Sequence, residues 1–98
     1  MLELIFFIAG QSARSNAALS NLREALDTLD VGTFTLQVVD VLSSPDLAEE
    51  HLVLATPTLL KTAPGQSFRV VGDLSDTQAL CKQLNLPVPV GDSKEHPE

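Results

Sequence analysis

The chain has no tryptophan and no tyrosine, one cysteine among 98 residues, and six lysines and arginines against thirteen acidic residues. Each shortage closes a class of function. A single thiol, Cys81, excludes an intramolecular disulfide and a cysteine-rich zinc site. A formal charge of −7 repels a phosphate backbone, so nucleic acid and anionic membrane surfaces are poor partners. The apolar run Leu2-Glu3-Leu4-Ile5-Phe6-Phe7-Ile8-Ala9 has no basic residue before it, contains Glu3 and is too short to span a bilayer. It is expected to be a buried strand, in a cytoplasmic protein. His51 and His96 lie far apart in sequence and bring no cluster of ligands with them, so neither a metal nor a cofactor is expected. With four phenylalanines as the only aromatics, the core must be built from Leu, Val and Ala, in one domain with a modest stability margin.

The residues that are present alternate between strand and helix signals. Leu4 to Ala9 is a continuous apolar run, the pattern of a strand covered on both faces. After Gly10-Gln11-Ser12, the positions Ala18, Leu19, Leu22, Ala25, Leu26 and Leu29 recur at helical spacing, with Ser12 or Ser15 as the cap. Phe34 to Val41 reads as a second strand, and strand, helix, strand makes a parallel βαβ unit. Ser44-Pro45 supplies a capping oxygen and a proline at the first position of a short helix over 46–51. Thr58 to Thr62 reads as the third strand, Pro64-Gly65 as a turn, and Phe68 to Val71 as its hairpin partner. Ser75-Asp76-Thr77-Gln78 has capping-box spacing before a last helix from Asp76 to about Leu84, with Ala79, Leu80 and Leu84 inward and Asn85 and Pro87 stopping it. The domain is expected over 1–86, with 87–98 as a disordered acidic tail.

Pro57, between two threonines in Leu54-Ala55-Thr56-Pro57-Thr58-Leu59, cannot donate to a strand ladder, so it belongs at a strand start, at an edge or after a cis peptide bond. That setting resembles the cis-proline of the thioredoxin superfamily, and the order βαβαββα is that of the thioredoxin-like fold, α/β with helices on both faces of a mixed sheet. Where a thioredoxin carries its redox cysteines, this chain reads Gly10-Gln11-Ser12-Ala13-Arg14-Ser15. Either serine would need a base to act as a nucleophile, and none stands near in sequence, so capping is the expected role. Cys81, between Leu80 and Lys82, is expected to be a small buried hydrophobe. Glu49-Glu50 reads as a solvated helix face.

Phe7-Ile8-Ala9-Gly10, Val39-Asp40-Val41-Leu42, Pro45, Leu47-Ala48-Glu49-Glu50, Leu54 to Leu59, Lys61 and Val71-Gly72-Asp73-Leu74-Ser75, in this order and spacing, resemble the KaiB family of circadian clock proteins. The resemblance implies a non-enzymatic regulator of a KaiC-type ATPase and kinase ring, with a KaiA-like protein or a SasA-type histidine kinase among its other partners. It also implies a second, tetrameric ground fold in equilibrium with the thioredoxin-like monomer, rearranged from near His51 onward. By the same likeness, Thr35, Gln37, Lys61, Arg69 and Asp73 are the expected partner-binding residues, and Pro57, Gly72 and Ser75 the structural ones. Ala17, Pro64-Gly65-Gln66, Gln83, Asn85 and Pro87-Val88-Pro89 depart from the typical members, which implies a divergent, non-clock homologue rather than a central oscillator component, acting in circadian or related timing and stress signalling. Two readings from other classes stand beside this: a degenerate thiol oxidoreductase using Cys81, and a self-associating, holdase-like stress protein.

Overall fold

Phe6 and Phe7 are neighbours in sequence, so in a strand they point to opposite faces, and both are 0% exposed. Only a central strand covered on two sides allows that. Their strand, β1 (Leu2–Ile8), pairs in parallel with β2 (Phe34–Asp40) and antiparallel with β3 (Thr58–Ala63). The hairpin strand β4 (Phe68–Val71) completes a mixed sheet in the order β2-β1-β3-β4. This is a computed structural model, and it describes residues 1–27, 29 and 32–84. The tail expected over 87–98, and the helix stop at Asn85 and Pro87, lie outside the described residues.

Each face of the sheet has its own core. Leu4, Phe6 and Leu59 pack with Ala18, Leu22, Ala25 and Leu26 of helix α1 (Ala13–Leu26) and with Leu80, Cys81 and Leu84 of helix α3 (Thr77–Leu84). On the opposite face Phe7, Val39 and Leu60 meet Leu47 of the short helix α2 (Pro45–Glu50) and Val53 behind it. The arrangement is thioredoxin-like, with helices on both faces. Small residues serve α1 well: Ala18 and Ala25 are 0% exposed and let the helix approach the sheet.

Local signals fix most element starts, while the Ser44 cap, the capping box over 75–78 and the inward placing of Ala79 are corrected. Ser12 is the N-cap of α1, its Oγ accepting from the Ser15 amide at 3.0 Å, whereas Ser15 itself is buried. The Ser44 hydroxyl caps nothing; α2 starts on Pro45, and Ser44 contributes through its carbonyl, which accepts from Leu47. The capping box over 75–78 does not form either. Asp76 takes the cap, its Oδ1 accepting from the Ala79 amide at 3.0 Å and its carbonyl accepting from Leu80. A carboxylate one residue nearer the helix competes better for the N-terminal amides than the Ser75 hydroxyl does. The helix is thereby set to begin at Thr77, Ala79 is exposed, and Cys81 rather than Ala79 joins Leu80 and Leu84 inside.

α2 ends in a Schellman motif. The Val53 amide donates to Ala48, and the Leu52 amide to Glu49, with Leu52 at φ +56 in the left-handed position that glycine usually fills.

Candidate partner-binding surface

The end of the sheet where β1 and β2 finish is also where β3 begins and β4 finishes, so four loops converge there. The Thr56–Pro57 peptide is cis and opens β3, as the proline's position in sequence leads one to expect. The Pro57 carbonyl accepts from the Gly72 amide at 2.9 Å, which ties the exit of β4 to the entry of β3. Gly72 sits at φ +123, a conformation closed to other side chains without strain, so both Pro57 and Gly72 shape this end. Thr58 reinforces the turn through its hydroxyl, which donates to Ala55 at 2.7 Å. Across the sheet, Asp40 Oδ1 accepts from the amides of Gly10 at 3.1 Å and Leu42 at 3.0 Å, joining the loop into α1 to the end of β2.

In chemical terms this end is quiet. The α1 N-terminus, which could stabilise a thiolate, presents the Ser12 hydroxyl already engaged as a cap. Cys81 is 0% exposed on α3, inside the α1–α3 core, so its thiol does not reach the surface. Among the described residues no group of three His, Cys, Asp or Glu stands ready to hold a metal ion. None of the described helices is long and apolar enough to cross a membrane.

What this end offers instead is apolar surface. Leu42 is 72% exposed, Leu54 is 96% exposed and Val71 is 58% exposed; they come from the loop after β2, the loop before β3 and the end of β4. Leu52, 71% exposed, stands beside them in sequence. Sequence reasoning missed these residues as candidates. The available signal was that Leu52 and Leu54 follow the α2 helix in positions that belong to no helical stripe and precede the strand, so neither had an assigned core.

The five residues carried over from the family resemblance do not form one patch. Gln37, Ile5, Leu60 and Arg69 stand in one transverse row across the sheet, and Thr35 lies on the same face as Gln37. Thr35 and Gln37 are exposed on β2, an edge strand whose outer side has no neighbouring strand among the described residues. Such an edge presents unpaired backbone groups to a partner. Arg69 is turned towards the end of α2, donating from Nη1 to the Leu52 carbonyl and from Nη2 to the His51 carbonyl. Lys61 points to the opposite face, 9% exposed, with its ammonium against the Pro64 and Gln66 carbonyls and 5.3 Å from the centre of the Phe68 ring. Asp73 lies in the loop after β4, where its carbonyl accepts from Asn21 of α1 and its carboxylate from the Ser75 amide. Ser75 is thus structural as a turn residue rather than as a cap.

Comparison with known proteins places this arrangement. The KaiB domain family matches residues 5–86. The chain is 46% identical over 83 residues to the circadian clock oscillator protein KaiB of Prochlorococcus marinus (strain NATL2A), covering 85% of this chain and 78% of that protein. It is 45% identical to the KaiB of Synechococcus sp. (strain RCC307), covering 85% and 76%. Among solved structures it is similar to the N-terminal domain of Synechococcus elongatus SasA, with a TM-score of 0.70 and 29% identity over 85% of this chain and 78% of that one. Mitochondrial thioredoxin 3 from Saccharomyces cerevisiae is similar in fold, with a TM-score of 0.69 and 25% identity over 86% and 76%.

Proposed function

This chain belongs to the KaiB family of clock regulators, and we propose that it works by docking on a KaiC-type ATPase ring, where it modulates the ring's phosphorylation cycle and its recruitment of other partners. The observation that carries this reading is the exposure of Leu42, Leu54 and Val71 at one end of the sheet, with the thiol of Cys81 buried away from it. A loop end that has apolar side chains in water and no nucleophile is built to bind. Thr35 and Gln37 on the open β2 edge suit a second contact, with a KaiA-like protein or a SasA-type kinase, by strand addition. The likeness to the SasA domain supports a shared docking site on the ring, for which the two would compete.

In this reading Arg69 and Asp73 act near the same end as Leu52 and Val71, while Lys61 acts only through the shape of the hairpin. A cytoplasmic tetramer, rearranged from near His51 onward, stands in equilibrium with the fold described above and is favoured at high concentration. Tetramer and monomer differ in concentration dependence, so light scattering over a dilution series separates them.

The test of docking is size-exclusion chromatography or interferometry against the KaiC homologue of the same genome, loaded with ATP and with ADP. Complex formation in at least one nucleotide state is expected, and Leu54→Asp should weaken it. No complex in either state overturns the proposal. A surface-reactive Cys81 with disulfide-reductase activity lost in Cys81→Ser would favour the thiol reading instead, against which the burial of that residue argues.

A further inference from the structure

Lys61 poses a question that partner docking does not answer. Its side chain is nine-tenths buried on an interior strand, and its ammonium touches two carbonyls, Pro64 and Gln66, and the face of Phe68. No carboxylate accompanies it among the described residues. An ammonium has three N–H donors, and among the described residues two are used. A buried cation is costly to keep unless an anion or enough acceptors surround it. The chain carries thirteen acidic residues, yet among those described none is turned to this cation.

Lys61 also lines a groove of about 390 Å³ at the end of the sheet opposite the cis-proline. Leu2 at the start of β1, Leu29 beyond α1, Pro64, Phe68 and Leu84 at the end of α3 supply apolar walls. Two of these, Pro64 and Phe68, are the residues that hold the ammonium. The volume is within the range of small-ligand sites, and such sites combine apolar walls with a few fixed polar groups.

We propose that this groove binds a small amphipathic carboxylate, the acid group taking the third donor of Lys61 and an alkyl or aryl body lying along Leu2, Leu29 and Leu84. Among the described residues only carbonyls and the Phe68 face meet the cation, and these leave its charge unneutralised, so an anion gains more there than a neutral molecule of equal size. A ligand cation is repelled. The inference is independent of the docking reading, because groove and docking end lie at opposite ends of the sheet.

The probe is octanoate, titrated into the full chain and followed by calorimetry and amide chemical shifts, with octanol and octylammonium as neutral and cationic controls. Octanoate should bind saturably, with shifts centred on Lys61, Phe68 and Leu84. Octanol should bind about ten-fold or more weakly, the factor expected for losing a charge-assisted hydrogen bond. Lys61→Met keeps an unbranched apolar stem and should bring octanoate down to the level of octanol. Because that variant disturbs the hairpin, Gln83→Glu gives a second reading: Gln83 is exposed on the groove's rim, and a carboxylate there should repel octanoate while leaving octanol unchanged. Equal binding of octanoate and octanol by the unaltered chain, no binding of either, or octanoate binding unaffected in both variants overturns the proposal.

Discussion

Arg69 of β4 and Leu52 behind α2 are joined by a 2.8 Å hydrogen bond from Nη1 to the Leu52 carbonyl, and Nη2 reaches the adjacent His51 carbonyl at the same distance. The guanidinium therefore closes the C-terminal end of α2 with the charge that a helix C-terminus favours. It fastens the α2 exit to the hairpin, and with it the loop that presents Leu54. Without it that loop is held mainly by the Val53-to-Ala48 bond and the cis-Pro57 turn.

Arg69→Met should loosen this loop more than it destabilises the protein. The guanidinium is on an exposed side chain, so the loss is expected to be about 1 kcal/mol or less, below the usual figure for hydrogen bonds to charged groups. Hydrogen exchange should speed up at Val53 and Leu54 and stay slow in β1. Uniform acceleration through the sheet would show that the clamp is part of global stability instead.

Leu52 sits in the left-handed region with its side chain 71% exposed. Leu52→Gly removes that strain at little loss of buried surface and is expected to stabilise by up to about 1 kcal/mol, net of glycine's greater freedom in the unfolded chain. A rise in the urea midpoint is the readout. The same variant loses an exposed apolar group, so a gain in stability with weaker docking on the ring would separate the two roles of this position.

The start of α3 is decided by comparing Asp76→Ala with Ser75→Ala. Removing the Asp76 cap should cost about 0.5–2 kcal/mol, while Ser75→Ala should stay within about 0.5 kcal/mol because its hydroxyl caps nothing. Equal costs in denaturant melts would restore the capping box over 75–78.

Asp40 serves two amides with one oxygen, those of Gly10 and Leu42. Asp40→Ala should cost about 1 kcal/mol, because the Gly10 amide is part-buried while the Leu42 amide is open to water, and Asp40→Asn, which keeps an acceptor, should cost less. Thermal melts of the pair check the order. Alanine no worse than asparagine would mean that water replaces the carboxylate freely.

Leu54→Asp tests the docking end directly. At 96% exposure the substitution removes almost no burial, so stability should change by no more than about 0.5 kcal/mol. An apolar anchor at the centre of an interface is worth about 2 kcal/mol or more, so affinity for the ring should fall by about ten-fold or more. Unchanged affinity in interferometry would move the interface elsewhere on the molecule.

Local pattern and backbone chemistry in the sequence determined the elements of this protein. The apolar run at Leu2–Ile8, the helical spacing of Ala18, Leu22 and Ala25, and Pro45 at a helix start all act within a few residues, so their structural meaning is carried by the chain itself. Pro57 was legible for the same reason, since its missing donor constrains any fold it enters. The tertiary structure alone decided which face each residue serves. Lys61 and Arg69 look alike as cations on two neighbouring strands, yet the register Leu60↔Arg69 and Lys61↔Phe68 turns one towards α2 and buries the other, on the opposite face, against Pro64, Gln66 and Phe68. A one-residue shift in pairing would exchange them. Competition between Ser75 and Asp76 for the same helix end was settled only when α3 packed Leu80, Cys81 and Leu84 against the sheet, because that packing fixes which amides remain to be capped. The exposure of Leu42, Leu54 and Val71 has the same origin: a sequence records that a side chain is apolar, but only the meeting of distant strand ends determines that all three are left in water at one end of the sheet.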